Sequence, residues 1–296
     1  MQALARLAAA AAGAVAAVLA VSPPGVQPAQ TRDPFSPPAV VVAATVEPAE
    51  PGATVEPAPP AAVVPAPDPD LPVATAGSII PAPIPGAGLD DVVGIAVPVA
   101  DRTAAYAEPG GEGLLVLDRT VAGRPRVWLA VGEQDGWVQV LVPLGRGALP
   151  STDPAAVNGR AVWVPAAAVD RAPIDSSVVV DISERTATIT SAARQTVVVP
   201  VAVGREGISE TPTGLGYVVD FFEDPHLGTV ALTSMQSTML DAFGGAPFAL
   251  TAFHADPEHG RAIGKAQSNG CIRLHADDFA AHLASLPLGT PVVLRP

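Results

Sequence analysis

Phe253-His254-Ala255-Asp256 and Ser268-Asn269-Gly270-Cys271-Ile272-Arg273-Leu274 are the two stretches on which the reading of this sequence turns. Cys271 is the only cysteine of the chain. It follows Asn-Gly in a polar segment rather than in an apolar run, which is not where a packing cysteine normally falls. A single cysteine forms no internal disulfide and is a free thiol. Gly270 permits dihedrals closed to other residues and lets a ligand approach the backbone. Consecutive amides around Gly270 and Cys271 could form a nest for an anion. Positive charge, here Arg273, and amide donors favour the reactive thiolate. His254 closes an apolar run over 248–253, so a strand is expected to carry it to a sheet edge or mouth, rigidly held yet exposed. A thiol and an imidazole far apart in sequence but adjacent in space are the parts of an activated nucleophile. Each has a plainer reading when taken singly: a small buried hydrophobe for Cys271, a satisfied edge or core histidine for His254.

Around these stretches the chain falls into four parts. Arg6 and the uncharged apolar residues 7–21 read as an export signal over residues 1–30, since the run suits a signal core and is short for a membrane span; an uncleaved membrane anchor is the alternative. Of the 34 prolines, 18 lie between Pro23 and Pro85. Residues 31–90 therefore read as a disordered, stiff Pro/Ala-rich linker. Residues 91–172 carry short apolar runs at 92–99, 114–117, 127–131, 137–142 and 161–164, divided by turn signals such as Glu108-Pro109-Gly110-Gly111 and Asn158-Gly159, the pattern of a small β-barrel. Trp128, Trp137 and Trp163 are expected to be core rather than a ligand platform. Residues 176–296 form a second β-rich domain, with strands expected at 177–182, 187–190, 196–203, 216–222, 248–253 and 291–294. One helix is expected at 277–286, with Asp277 and Asp278 in its first turn, an apolar stripe of Phe279, Leu283 and Leu286, and Gly289 as its stop. A net charge of −13 argues against nucleic acid as a partner.

Taken together, His254, Gly264, Ser268, Gly270, Cys271, Ile272 and Arg273 resemble the motif of the L,D-transpeptidase (YkuD-type) catalytic domain. Val201-Ala202-Val203-Gly204, Thr211-Pro212-Thr213-Gly214 and the closing Leu286-Pro287-Leu288-Gly289-Thr290-Pro291-Val292 match as well. The order of Tyr106, Pro109-Gly110, Val127-Trp128-Leu129, Asp135-Gly136-Trp137 and Val162-Trp163-Val164-Pro165 resembles a bacterial Src-homology-3-like domain. These resemblances imply a mainly β fold, an L,D-transpeptidase-type β-sandwich with one or two short helices, preceded by the small barrel. Two positions depart from the family pattern. Ala255 stands where Gly or Ser is usual, and its implied role is a backbone carbonyl that orients His254. Asn269 stands where His is frequent, and Asn cannot shuttle a proton.

The resemblance implies a peptidoglycan acyltransferase of the bacterial envelope, acting through a Cys271 thioester with His254 as general base and acid. The backbone N–H groups of Asn269, Gly270 and Cys271 are the implied oxyanion hole. Ser268 is expected to support the cysteine loop, Arg273 to bind a substrate carboxylate or brace that loop, and Asp256 and His259 to line the cleft. The implied partners are a donor tetrapeptide stem and the amine of a second diaminopimelate, and neither cofactor nor metal is implied. His254, Asp256 and His259 make a conceivable metal set, but without ligand spacing. A degenerate wall-binding protein is disfavoured by the intact Cys271, His254 and Arg273. A cell-wall cysteine peptidase is disfavoured because its cysteine ordinarily precedes its histidine. Hydrolysis of the thioester, or transfer to a lysine of a partner protein, would use the same machinery.

Overall fold

The computed structural model describes residues 66–80 and 88–296. The expected export signal lies outside the described residues, as does most of the linker. Residues 66–80 depart from the expected unpacked linker. Ile80 is fully buried in the barrel core and Ala76 is buried beside Leu144. The segment is anchored by backbone bonds from Ala74 to Val116 and from Ile80 to Arg146. Ile80, with Ala74 and Ala76, supplies the apolar surface that the prolines around them obscure.

The first domain is built from β1 (Gly94–Pro98), β2 (Arg102–Tyr106), β3 (Gly113–Asp118), β4 (Thr120–Val121), β5 (Arg124–Pro125), β6 (Trp128–Gln134), β7 (Trp137–Leu141), β8 (Ala161–Pro165) and β9 (Val169–Ala172). Seven of them form one sheet in the order β3-β2-β8-β7-β6-β1-β9, and β4 and β5 make a separate hairpin. All seven contribute to a single core that includes Leu117, Trp128, Val140 and Val164. A sheet that shares one core from end to end must curl on itself, which gives a near-barrel. β2 and β9 are not among the predicted strands. Trp128 is fully buried, whereas Trp137 and Trp163 are half-buried, and Trp137 packs edge-on against Tyr106.

The second domain contains β10 (Ser177–Asp181), β11 (Thr186–Thr190), β12 (Thr196–Pro200), β13 (Val203–Gly204), β14 (Gly214–Asp224), β15 (Gly228–Gln236), β16 (Leu250–Ala255), β17 (Ala266–Ser268), β18 (Ile272–Leu274) and β19 (Pro291–Arg295). Eight of them form a sheet in the order β12-β11-β10-β19-β14-β15-β16-β18, while β13 pairs with β17. The predicted strand over 196–203 is broken between β12 and β13, where Val201 and Ala202 turn to bond other segments. β15 is absent from the predicted strands because Thr229, Thr233 and Ser234 interrupt its apolar pattern. The buried Thr233 hydroxyl is satisfied by the Thr251 carbonyl at 2.7 Å. The predicted helix is a short α1 (Ala276–Asp278) continued by a π-helical turn over Phe279–Leu283. Phe279, Leu283 and Leu286 remain buried as its stripe requires.

The sheet has two covered faces. One carries Val178, Ile189, Phe253, Ile272 and Leu294 against Phe279 and Leu283. The other carries Leu215, Tyr217, Val219, Val230, Leu232, Ala252 and Cys271, in one apolar cluster with Leu129, Val131, Leu141 and Ala161 of the barrel. A buried polar clamp accompanies this junction. Arg126 donates to the Val219 carbonyl at 2.7 Å, and both Arg126 and Arg124 pair with Asp220, at 3.3 and 3.1 Å. Burial pushes the Asp220 carboxyl up and the Arg126 guanidinium down, and their mutual attraction opposes both shifts. Arg146 ties the barrel to the loop 237–249 through the Asp241 and Pro247 carbonyls, each at 3.0 Å.

Removing one partner of a buried ion pair strands the other, at a cost of about 3–5 kcal/mol. Asp220→Ala is therefore expected to lower the unfolding free energy by about that amount, read from urea unfolding. A double replacement by apolar residues of matching volume at Arg126 and Asp220 should recover most of the loss. A cost for Asp220→Ala no larger than that of an exposed pair would show that the two domains do not close over Asp220.

Candidate active site

β16 and β18 lie side by side and parallel, with Phe253 opposite Ile272 and His254 opposite Arg273. Strand alternation turns Phe253 and Ile272 to one face and Ala252, His254, Cys271 and Arg273 to the other. The two expected reactive groups thus share the face that the barrel covers. Neither is exposed. His254 is 2 % and Cys271 5 % accessible, which corrects the expectation of an exposed histidine at a sheet mouth and of a cysteine outside an apolar cluster. β18, not β16, is the edge strand, and the apolar cluster of the barrel junction continues up to Cys271.

The His254 Nδ1 lies 2.7 Å from the Ala255 carbonyl. A carbonyl only accepts, so Nδ1 carries the proton and Nε2 keeps its lone pair. Burial pushes the imidazole down to about 4; the Ala255 bond opposes the shift, and Arg273 adds to it. Burial pushes the Cys271 thiol up, against the Ala252 backbone and Arg273, which favour the thiolate. In the resting protein both groups are neutral at pH 7. Desolvation thus opposes the thiolate that Arg273 and the loop amides were expected to favour, because it penalises the charged form of each group.

The loop that carries Cys271 is held from behind. Thr211 accepts from the Gly204 N–H at 2.8 Å and donates to the Gly270 carbonyl at 3.1 Å. Ser209 donates to the Ser268 carbonyl at 3.0 Å. Ser268 donates to the Cys271 carbonyl at 2.5 Å and accepts from the Gly270 N–H at 3.1 Å. Gly270 has φ +107° and backs onto the Glu210 carbonyl, a conformation strained for any other residue. Its N–H is already engaged by Ser268, so Gly270 shapes the loop rather than offering the free oxyanion donor expected of it. With the Gly270 carbonyl anchored on Thr211, the trans peptide directs the Cys271 N–H to the opposite side.

The remaining expected residues fall into two groups. Asp256 and Arg273 are brought together. The Asp256 carboxylate is fully buried, accepts from the Ala262 N–H at 3.1 Å and pairs with Arg273 at 3.3 Å. Both brace the site, and Asp256 does not line a cleft. Asn269 is half-buried beside the loop. His259 is exposed on the turn that follows Asp256, at φ +56°, and no hydrogen bond joins its ring to the loop. Among the described residues no cluster of three or more His, Cys, Asp or Glu is arranged to hold a metal. Arg205, Ser209 and Thr211 were not assigned a role from the sequence. Thr211 lies in a stretch that the family resemblance marks, but its hydroxyl's two partners become visible only in three dimensions.

Residues 175–294 match the family model of the L,D-transpeptidase catalytic domain, YkuD. Comparison with proteins of curated function finds no significant match. Among solved structures, an L,D-transpeptidase from Mycobacterium smegmatis is 15% identical, covering 76% of this chain and 99% of its own, with a TM-score of 0.36. An L,D-transpeptidase from Mycobacterium tuberculosis is 14% identical over 75% of this chain and 95% of its own, with a TM-score of 0.35. The catalytic domain of the Enterococcus faecium L,D-transpeptidase is 17% identical over 41% and 97%, with a TM-score of 0.30.

A desolvated thiol ionises above the ordinary value of about 8.5. Alkylation of Cys271 by iodoacetamide in the free protein is expected to rise with pH through a midpoint above that value. A midpoint below neutrality would instead reveal a resting thiolate–imidazolium pair.

Proposed function

From the premise that residues 175–294 are an L,D-transpeptidase catalytic domain of the YkuD family, an acyltransferase with a cysteine nucleophile, we propose that this protein cross-links peptidoglycan by joining two diaminopimelate residues. The observation that carries the reading is one thiol and one imidazole on the same face of neighbouring parallel strands, with the imidazole Nδ1 bonded to the Ala255 carbonyl so that Nε2 keeps its lone pair. Cys271 is the nucleophile and His254 the base. The thiol proton passes to Nε2 as the sulfur attacks the carbonyl of the diaminopimelate L-centre in a donor tetrapeptide stem. The Cys271 amide stabilises the oxyanion, a contribution typically worth about 3–4 kcal/mol for a preorganised donor. The imidazolium then returns the proton to the nitrogen of the departing D-alanine, and a thioester remains. The side-chain amine of a second diaminopimelate attacks the thioester, loses a proton to His254 and restores the thiol.

A site that is neutral at rest suits this sequence, because charge appears only where fixed donors meet it. Asp256 and Arg273 hold the β16–β18 pairing rigid, and Ser268, Ser209 and Thr211 hold the cysteine loop. The protein acts in the bacterial envelope. The apolar residues 7–21 serve as its export signal or anchor, and the prolines of the linker carry the enzyme away from the membrane.

Incubation with purified disaccharide-tetrapeptide is expected to yield a dimer lacking one D-alanine, detected by mass spectrometry and absent with Cys271→Ala. A tripeptide monomer would mean that water resolves the thioester and that the enzyme is a carboxypeptidase. No product in either sample would exclude this donor. Exposure to a carbapenem should add the mass of the β-lactam to the wild type but not to Cys271→Ala; a wild type left unmodified would count against a functional acylation site.

A further inference from the structure

We propose that Arg205 and Asn269 form a carboxylate-binding subsite beside Cys271, which holds a free carboxylate of the acyl donor next to the bond that is cleaved. Arg205 opens a tight turn in which the N–H groups of Ile208 and Ser209 bond to its carbonyl, at 3.2 and 2.9 Å. Its guanidinium is held in place twice, by Nε donating to Ser209 Oγ at 3.3 Å and by Nη2 donating to Asn269 Oδ1 at 2.6 Å. A guanidinium can only donate, so the amide oxygen of Asn269 faces it and the amide NH2 is turned away.

Arg205 is exposed, and no carboxylate of the described residues pairs with it. This separates it from the other arginines of the site. Arg273 is spent on Asp256, and Arg124 and Arg126 on Asp220. What remains beyond these bonds is the Nη1 group, the outer Nη2 hydrogen and the Asn269 Nδ2 group, all of them donors. An ordered set of donors with no acceptor of its own matches a group that only accepts, and a planar fork matches a carboxylate best. Asn269 is joined to Cys271 through Gly270 alone, so a carboxylate held there sits beside the reacting carbonyl. The chain is acidic overall, at −13, and an anionic donor needs a local cation to approach it. Asn269 thus has its own part at the position where the family often has His: its oxygen aligns Arg205, and its NH2 joins the subsite.

The inference rests on the reading above that a stem peptide is the donor. Two carboxylates of such a donor flank the scissile bond, the terminus of the departing D-alanine and the D-centre carboxyl of diaminopimelate. Three donors separate them: the free disaccharide-tetrapeptide, its analogue amidated at the terminal D-alanine, and its analogue amidated at the diaminopimelate D-centre. The wild-type protein is expected to lose about 10- to 100-fold in kcat/KM on one of the two amidated donors, the loss typical of a hydrogen bond to a charged group. Which analogue fails identifies the carboxylate. Arg205→Gln should lose a similar factor on the free donor, chiefly through KM, and little more on that analogue. Arg205→Lys should regain part of the loss, and Asn269→Ala should show a smaller loss of the same kind. The iodoacetamide rate of Cys271 and the urea midpoint should stay unchanged in Arg205→Gln, which separates recognition from folding. A wild type that turns over all three donors equally overturns the subsite alone, as does an Arg205→Gln protein that keeps the full preference for the free donor. A wild type active on none of them overturns the transpeptidase reading and the donor assigned here with it.

Discussion

The hydroxyl of Thr211 accepts the Gly204 N–H and gives its own proton to the Gly270 carbonyl. Both capacities of one small side chain are used, and the peptide between Gly270 and Cys271 can point only one way. The rest of the site is arranged around that orientation. Gly270 adopts φ +107° because the loop must pass close to the Ser209–Thr211 backbone, and no Cβ fits that conformation without strain. Ser268 then closes the loop across its other end by bonding the Cys271 carbonyl and the Gly270 amide. The network consists of short hydroxyl side chains with few rotatable bonds, so little conformational freedom is lost in forming it.

Burial is the second determinant. The barrel places Leu129, Val131, Leu141 and Ala161 in the same apolar cluster as the face that carries Cys271, and the Arg126–Asp220 pair closes the junction beside it. Removing water raises the energy of an isolated thiolate and of an isolated imidazolium alike. It also strengthens every fixed dipole that meets a charge when one forms. Burial therefore disfavours a charge pair between the Cys271 thiol and the His254 imidazole. The site's reactivity depends on donors that are already aligned, which is why so much of the second domain is devoted to fixing one loop and one imidazole. The barrel enters this chemistry through desolvation and through Arg146, which pins the loop 237–249 leading into β16.

Much of this was legible in the amino-acid sequence. The order His254, Ser268, Gly270, Cys271, Arg273 carried the resemblance to the L,D-transpeptidase motif. The strands with clean alternation, such as β10 and β11, were legible as well, since Val178 and Val180 point in opposite to Ala187 and Ile189. β15 was not, because its buried Thr233 is paid for by a partner on another strand. The packing of residues 66–80 was hidden by prolines that mimic a linker.

The sequence by itself determined the chemistry available: one thiol, one imidazole at a strand end, a glycine where the loop must bend, and a mainly β chain to hold them. Only the tertiary structure decided the state of those groups. Burial disfavours the charged forms of thiol and imidazole, the pairing of Asp256 with Arg273 turns both into braces, and no carboxylate of the described residues pairs with Arg205. Ionisation and pairing depend on distance and solvent, which residues far apart in the chain set together, and no local stretch of sequence encodes either.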